Sequence, residues 1–374
     1  AGMITLKEFL AREVVPALGC TEPGAVALAA ARARQELGGE YIERISADVS
    51  DSIYKNGMNV GVPGASGETG NSLAAAMGAL AGRADLGLEV LRDCTPEDVA
   101  AAKRMISEGR VELNCMPHVC GVYVEVTVES RTHAATCVIE GEHSNIVRVD
   151  VDGETVFSKE EAAPAGSTFP RDDGNVLADH ANEQETDGFL EGIDYRTLLS
   201  LADDMGPDEV EYVMRGVEMN MAIAEYGLTS ESKSGLGAGK AIWKLMSENK
   251  IEKDLAFLIR SYSSAASDAR MAGVQLPTMS AAGSGNQGIT AIIPVALAGE
   301  SMGKSREEIA RAVTVSLLST SFVRSRTGRL TPVCGCSVAA GAGAAAGIAC
   351  LLGGNWMHSA RAMQLVLANT AGIV

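Results

Sequence analysis

Strand-like and helix-like segments are segregated along this chain, and that segregation limits what it can fold into. Tyr123-Val124-Glu125-Val126-Thr127-Val128 alternates with period two, the mark of a strand with one buried face. It stands in a β-rich stretch, 111–157, where strands are expected at Val122–Val128, Ala134–Glu140, Ile146–Val151 and Thr155–Phe157. Beyond residue 188 the pattern reads helical throughout: 188–202, 208–226, 238–247, 251–267, 289–298, 305–319, 337–352 and 358–371. Such a separation is the α+β pattern. The expected architecture is a large all-helical domain with a smaller α/β domain inserted after the N-terminal helices. Its boundaries are 1–40 for N-terminal helices packing on the helical domain, 41–165 for the small α/β domain, 166–187 for an acidic connection and 188–374 for the helical domain.

Within the first part, helices are expected at Leu6–Ala17 and Gly24–Leu37, and a strand at Tyr41–Ser50. Lys55-Asn56-Gly57-Met58 carries an Asn-Gly turn signal. A helix follows at Asn71–Ala81, a short strand at Leu88–Leu91, and a helix at Thr95–Ser107 capped by Thr95. The chain is 46% hydrophobic but only 4% aromatic, which favours closely packed helices with small-residue contacts. Acidic residues outnumber basic ones 48 to 31, and no basic stripe appears, so neither nucleic acid nor an anionic membrane is an expected partner. Eight cysteines spread over 374 residues make no disulfide scaffold. With no secretion signal in view, a cytoplasmic protein with reduced thiols is expected. Cys94, Cys137 and Cys350 are read as ordinary core residues.

Five segments carry candidate chemistry. In Gly19-Cys20-Thr21-Glu22-Pro23 a cysteine stands at the mouth of a helix, where the dipole favours its thiolate as nucleophile or metal ligand; a small buried core thiol is the plainer alternative. Thr331-Pro332-Val333-Cys334-Gly335-Cys336 again puts thiols at a helix entrance, though Cys-x-Cys by itself specifies no metal. The stretch 280–288 opens an apolar helix with Ser284, Gly285 and Asn286, a cradle for a carboxylate or phosphate. Arg270, ending a helix beside Asp268, reads either as half of an ion pair or as a holder of a substrate carboxylate. The segment Ser234–Lys240 fails as a P-loop and reads as the loop before a helix. His143 falls in a turn between two strands, where a functional side chain can be presented, while His118 between Cys115 and Cys120 lacks a matching second cluster for zinc.

In sequence along nearly the whole chain, Gly-Cys-Thr-Glu-Pro, Lys-Asn-Gly, the His-x-Asn-Ile-Val of His143–Val147, Ala-Ala-Ser-Asp-Ala-Arg and Gly-Ser-Gly-Asn-Gln-Gly resemble the L-cysteine desulfidases, of the serine dehydratase α-chain superfamily. The resemblance implies a 4Fe–4S cluster, no pyridoxal phosphate, and α,β-elimination of a small L-amino acid. L-Cysteine would give pyruvate, ammonia and sulfide; L-serine, in the related dehydratases, loses water. A non-catalytic ligand-binding relative is the alternative of another class. The resemblance implies Cys20 and Cys334 as cluster ligands, with Cys336 as the substitute for Cys334. The family's third cysteine follows a segment matched by Gly372-Ile373-Val374, where this sequence stops, so the chain as given is expected to hold a cluster poorly or not at all. The Gly283–Gly288 loop and Arg270 are expected to bind the substrate carboxylate. His143 is the expected base, Lys55 its rival, and Asn56 and Asn145 their hydrogen-bonding partners. A homodimer is the expected assembly.

Overall fold

A computed structural model describes residues 4–19, 21–65, 67–117, 119, 121–141, 143–159, 190, 192–230, 235–327 and 334–370. The chain divides into two units: one holds residues 1–18, 188–272 and 276–374, the other 19–187 and 273–275. The expected α+β architecture is present, with a six-stranded sheet in the second unit and a two-stranded one in the first.

The first unit begins with α1 (Leu6–Glu13) and β1 (Pro16–Leu18). Thr5 and Glu8 form a capping box at the start of α1. The sequence predicts a helix through Ala17, but α1 ends at Glu13, because Pro16 lacks an N–H and biases Val15 away from the α region.

In the second unit, α2 (Thr21–Glu36) precedes β2 (Arg44–Ser50), α3 (Asp51–Gly57), α4 (Asn71–Ala81) and α5 (Pro96–Ser107). The sheet then continues through β3 (Val111–Met116), β4 (Tyr123–Glu129), β5 (Ala134–Glu140), β6 (Ile146–Val151) and β7 (Glu154–Ser158). Its order is β3-β2-β4-β5-β6-β7, parallel between β2 and β3 and antiparallel elsewhere. In β4 the alternation read from sequence buries Val124, Val126 and Val128. The sequence reading assigns both N-terminal helices to the helical domain; only α1 goes there, while α2 packs on β4, β5 and α4. Its Ala-rich surface explains this: α2 is buried on nearly every side and fits close against a helix and strands. Two further expectations give way. Lys55-Asn56-Gly57 forms the last turn of α3, whose start is capped by the Ser50 hydroxyl, instead of a hairpin turn; the antiparallel partner of β2 is β4, which comes only after α3, α4, α5 and β3. Leu88 and Glu89 end a 3₁₀ segment, Ala84–Glu89, and Val90 and Leu91 form the turn after it, so no strand stands at Leu88–Leu91. The acidic connection 166–187 lies outside the described residues.

The first unit resumes with α6 (Tyr195–Ser200), α7 (Pro207–Thr229), α8 (Ala238–Ser247), α9 (Leu255–Met271), β8 (Pro277–Met279), α10 (Gly285–Ser301), α11 (Arg306–Thr327), α12 (Gly341–Leu351) and α13 (Trp356–Asn369). One π-helical turn, Cys336–Ala340, leads into α12. The strand β8 corrects the reading of this half as wholly helical; it is three residues long and pairs antiparallel with β1, Pro16 opposite Met279. So short a strand leaves no periodicity to read. The α10 and α11 helices form the centre of the core, with Ile289, Ile292, Val295, Val313 and Leu317 all buried. Buried hydroxyls in α11 bond back to carbonyls, Thr314 to Ala310 and Thr320 to Ser316, so they carry no unmet polarity into the core.

The main chain of β8 is fixed by one side chain. Asn220 of α7, fully buried, accepts from Met279 N–H at 2.8 Å and donates to Met279 C=O at 3.2 Å. Truncation leaves both backbone groups buried without partners, a loss of about 2–4 kcal/mol. Asn220→Ala is therefore expected to lower the urea midpoint of the transition that includes α10, read against wild type by circular dichroism.

Candidate functional site

The site grows from the turn between β8 and α10. Ala282 and Gly283 both have positive φ, which reverses the chain and delivers Ser284 as N-cap of α10. The Ser284 hydroxyl accepts from Gln287 N–H at 3.4 Å and its carbonyl from Gly288 N–H at 3.0 Å. Gly285 and Asn286 therefore lead the turn, and the first N–H groups of a helix have no acceptor within it. Two glycines let other chain segments close in. A Cβ on Gly288 would stand 1.9 Å from the Met279 carbonyl oxygen, and one on Gly285 would stand 2.4 Å from Arg270 Nε and 2.8 Å from Thr278 Oγ1. The helix start is thus pressed against a guanidinium.

That guanidinium is buried. Arg270, in the last turn of α9, is only 3% exposed. Among the described residues it makes no ion pair, its Nε has no hydrogen-bond partner, and one NH group reaches only the Met271 sulfur, 3.9 Å away. Asp268, the ion-pair partner considered from sequence, is engaged elsewhere: its two oxygens accept from the N–H groups of Leu236 and Gly237 at 3.0 and 2.9 Å, anchoring the loop before α8. A buried cation without a counter-charge is expensive. Its placement at a helix start, where the dipole adds positive character, calls for an anion.

The other wall is the chain around Cys334–Cys336. A Cβ on Gly335 would stand 2.8 Å from Gln287 Nε2 and 3.5 Å from an NH of Arg324, a second buried arginine, on α11. Burial pushes the Cys336 thiol up to about 11, with the Arg270 and Arg324 charges acting in the opposite sense. Cys334 goes the other way: burial raises it, but the Ser337 hydroxyl at 3.5 Å and backbone N–H groups of Ser337 and Cys336 outweigh that and hold it below the usual thiol value.

Of the residues nominated from sequence, Ser284, Gly285, Asn286 and Arg270 come together here, with Cys334 and Cys336 on the adjoining segment. Cys20 lies outside the described residues, as do His118 and Cys120. The remaining nominees belong to the sheet-bearing unit. Lys55 and Asn56 are exposed on α3, and the Asn56 amide donates to Glu22 at 3.3 Å. His143 lies in the turn between β5 and β6, half-buried; nearby in sequence, Asn145 donates to the Glu140 carbonyl at 2.8 Å and accepts from Lys159. Gln287 falls in the Gly283–Gly288 loop nominated from sequence, while Arg324, Thr278 and Met271 were missed. No local signal marked these three, because their role comes from packing.

Among the described residues no group of three His, Cys, Asp or Glu side chains is placed to hold a metal. Cys334 has the chemistry of one thiolate ligand, but the described residues do not make up a cluster site. Cys94 and Cys137 behave as core thiols, burial pushing them up to about 11 and about 12. Alkylation with iodoacetamide at pH 8 is accordingly expected to label Cys334 well before Cys94, Cys137 or Cys336, as read by peptide mass spectrometry, since only the thiolate reacts.

No helix among the described residues is long and apolar enough to cross a membrane. A family model described as serine dehydratase alpha chain matches residues 85–374. Among curated proteins, a UPF0597 protein of Kosmotoga olearia is 42% identical, covering 100% of this chain and 82% of its own length. One from Desulfatibacillum aliphaticivorans is 40% identical over 99% of this chain and 82% of its own, and one from Nitratidesulfovibrio vulgaris strain DP4 is 41% identical over 98% and 82%.

Proposed function

Because the chain belongs to the serine dehydratase alpha chain family, we propose that it is a lyase acting on a small L-amino acid whose carboxylate is held by Arg270 and the start of α10. The observation that carries this reading is the Arg270 guanidinium, buried, without an acidic partner among the described residues, and set against Gly285. A carboxylate there satisfies Arg270 Nε and the leading N–H groups of the helix together, and neutralises a charge that burial otherwise penalises. The reaction is α,β-elimination: the Cα proton leaves to a base, the Cβ–heteroatom bond breaks, and the resulting 2-aminoacrylate takes up water to give pyruvate and ammonia. L-Cysteine releases sulfide and L-serine releases water by the same steps. We favour L-cysteine on the motifs that carry the desulfidase resemblance; the family's description favours L-serine as the second reading. No pyridoxal phosphate takes part in either scheme. If a 4Fe–4S cluster is bound, it supplies a Lewis acid for the leaving group, and Cys334 is the described residue suited to ligate it.

Arg270→Met is expected to weaken binding of a simple carboxylate such as propionate at least about tenfold, as read by calorimetric titration, with the thermal transition still cooperative. Propionate binding unchanged by the substitution would overturn the carboxylate reading. Substrate choice is read by anaerobic reconstitution with iron and sulfide, followed by comparing sulfide release from L-cysteine with pyruvate formation from L-serine. For the base we propose His143, with Lys55 as its rival. His143→Gln is expected to lower turnover by about 100-fold or more. Full activity in that variant, with a loss in Lys55→Met, transfers the role to Lys55.

A further inference from the structure

Asn286, the second residue of α10, is committed in a way that leaves its acceptor idle. Its amide nitrogen donates to the Met271 sulfur at 3.2 Å, a weak acceptor, while its Oδ1 is buried with no hydrogen-bond partner. The same sulfur is the only side-chain acceptor within reach of Arg270 among the described residues. Arg270 and Asn286 thus share one thioether through a terminal NH and the amide nitrogen, and each keeps an unpartnered atom at this helix start: the donor Arg270 Nε and the acceptor Asn286 Oδ1. A simple anion satisfies only the first. A free α-amino acid satisfies both, because its ammonium group is attached to the carbon next to its carboxylate.

We propose that Asn286 is a specificity-determining residue whose Oδ1 accepts a hydrogen bond from the α-ammonium of the amino acid held through its carboxylate by Arg270. The inference rests on the carboxylate reading above. It accounts for a buried cation with no acidic side chain paired to it among the described residues: the ligand's ammonium is read by a neutral amide, so no carboxylate there competes with the anion for Arg270. Gln287 is the less suitable reader, since its amide faces Gly335 beside the Arg324 guanidinium, where a second cation is repelled.

The test compares L-alanine with propionate, which differ by the α-ammonium group and lack a β leaving group, so both bind without turnover. By calorimetric titration the wild-type chain is expected to prefer L-alanine about tenfold or more, the range of a hydrogen bond to a charged group. Asn286→Leu, of similar size but without the acceptor, should lose that preference while keeping its affinity for propionate. Asn286→Asp should restore the preference. A preference that survives intact in Asn286→Leu overturns the assignment, as does wild type binding the two ligands equally. If wild type binds neither ligand, the carboxylate reading fails and takes this one with it. Should Asn286→Leu fail to fold, Asn286→Asp decides: an added carboxylate beside the ammonium keeps or strengthens the preference, and a drop below wild type overturns the proposal.

Discussion

The position of the anion cradle depends on how the three residues of β8 are held. Met279 is gripped through both backbone groups by the buried Asn220 amide, and β8 pairs with β1. From that fixed point the Ala282–Gly283 reversal delivers Ser284 as N-cap, and Gly288 lets the new helix lie on the Met279 carbonyl. One polar side chain on α7 thus sets where α10 begins. Once that start is fixed, the Arg270 guanidinium at the end of α9 meets it at a distance no side chain larger than glycine at 285 would allow.

Burying an arginine against a helix start is unfavourable unless something negative is brought in. The cluster answers this with few stabilising contacts of its own. Asn286 and Arg270 share a thioether, and Gln287 Oε1 also lacks a partner among the described residues. Unmet polar groups are rare in interiors, and their gathering at one helix start is what distinguishes this region from the packed core around Ile292 and Leu317. Preorganisation of this kind favours ligands that supply the missing charge and donors at once.

Much of the fold was legible from local pattern. The strands Ala134–Glu140 and Ile146–Val151 and the helices Asn71–Ala81 and Ala238–Ser247 follow from alternation, caps and helix-forming composition, and the structure has them at those residues. The misreadings share a cause. The end of α1, the strand β8 and the allegiance of α2 are set by partners distant in sequence, which local propensity does not register. The Asn-Gly step at 56–57 failed as a hairpin signal because Ser50 caps a helix before it, and the antiparallel partner of β2 is the distant β4, not an adjacent strand.

For the candidate site, the sequence by itself determined the ingredients: a Gly-rich helix start at 284–288, an arginine closing a helix at 270, thiols at 334 and 336, and the order of motifs that marks the family. Only the tertiary structure decided which of them share a space and in what electrical state. It turned Asp268 away from Arg270, placed Arg324 and Gln287 beside Gly335, and gave two cysteines two residues apart opposite thiol shifts. The reason is physical: charge state and hydrogen bonding depend on burial and on neighbours brought in by packing, and neither is written in the spacing of residues along the chain.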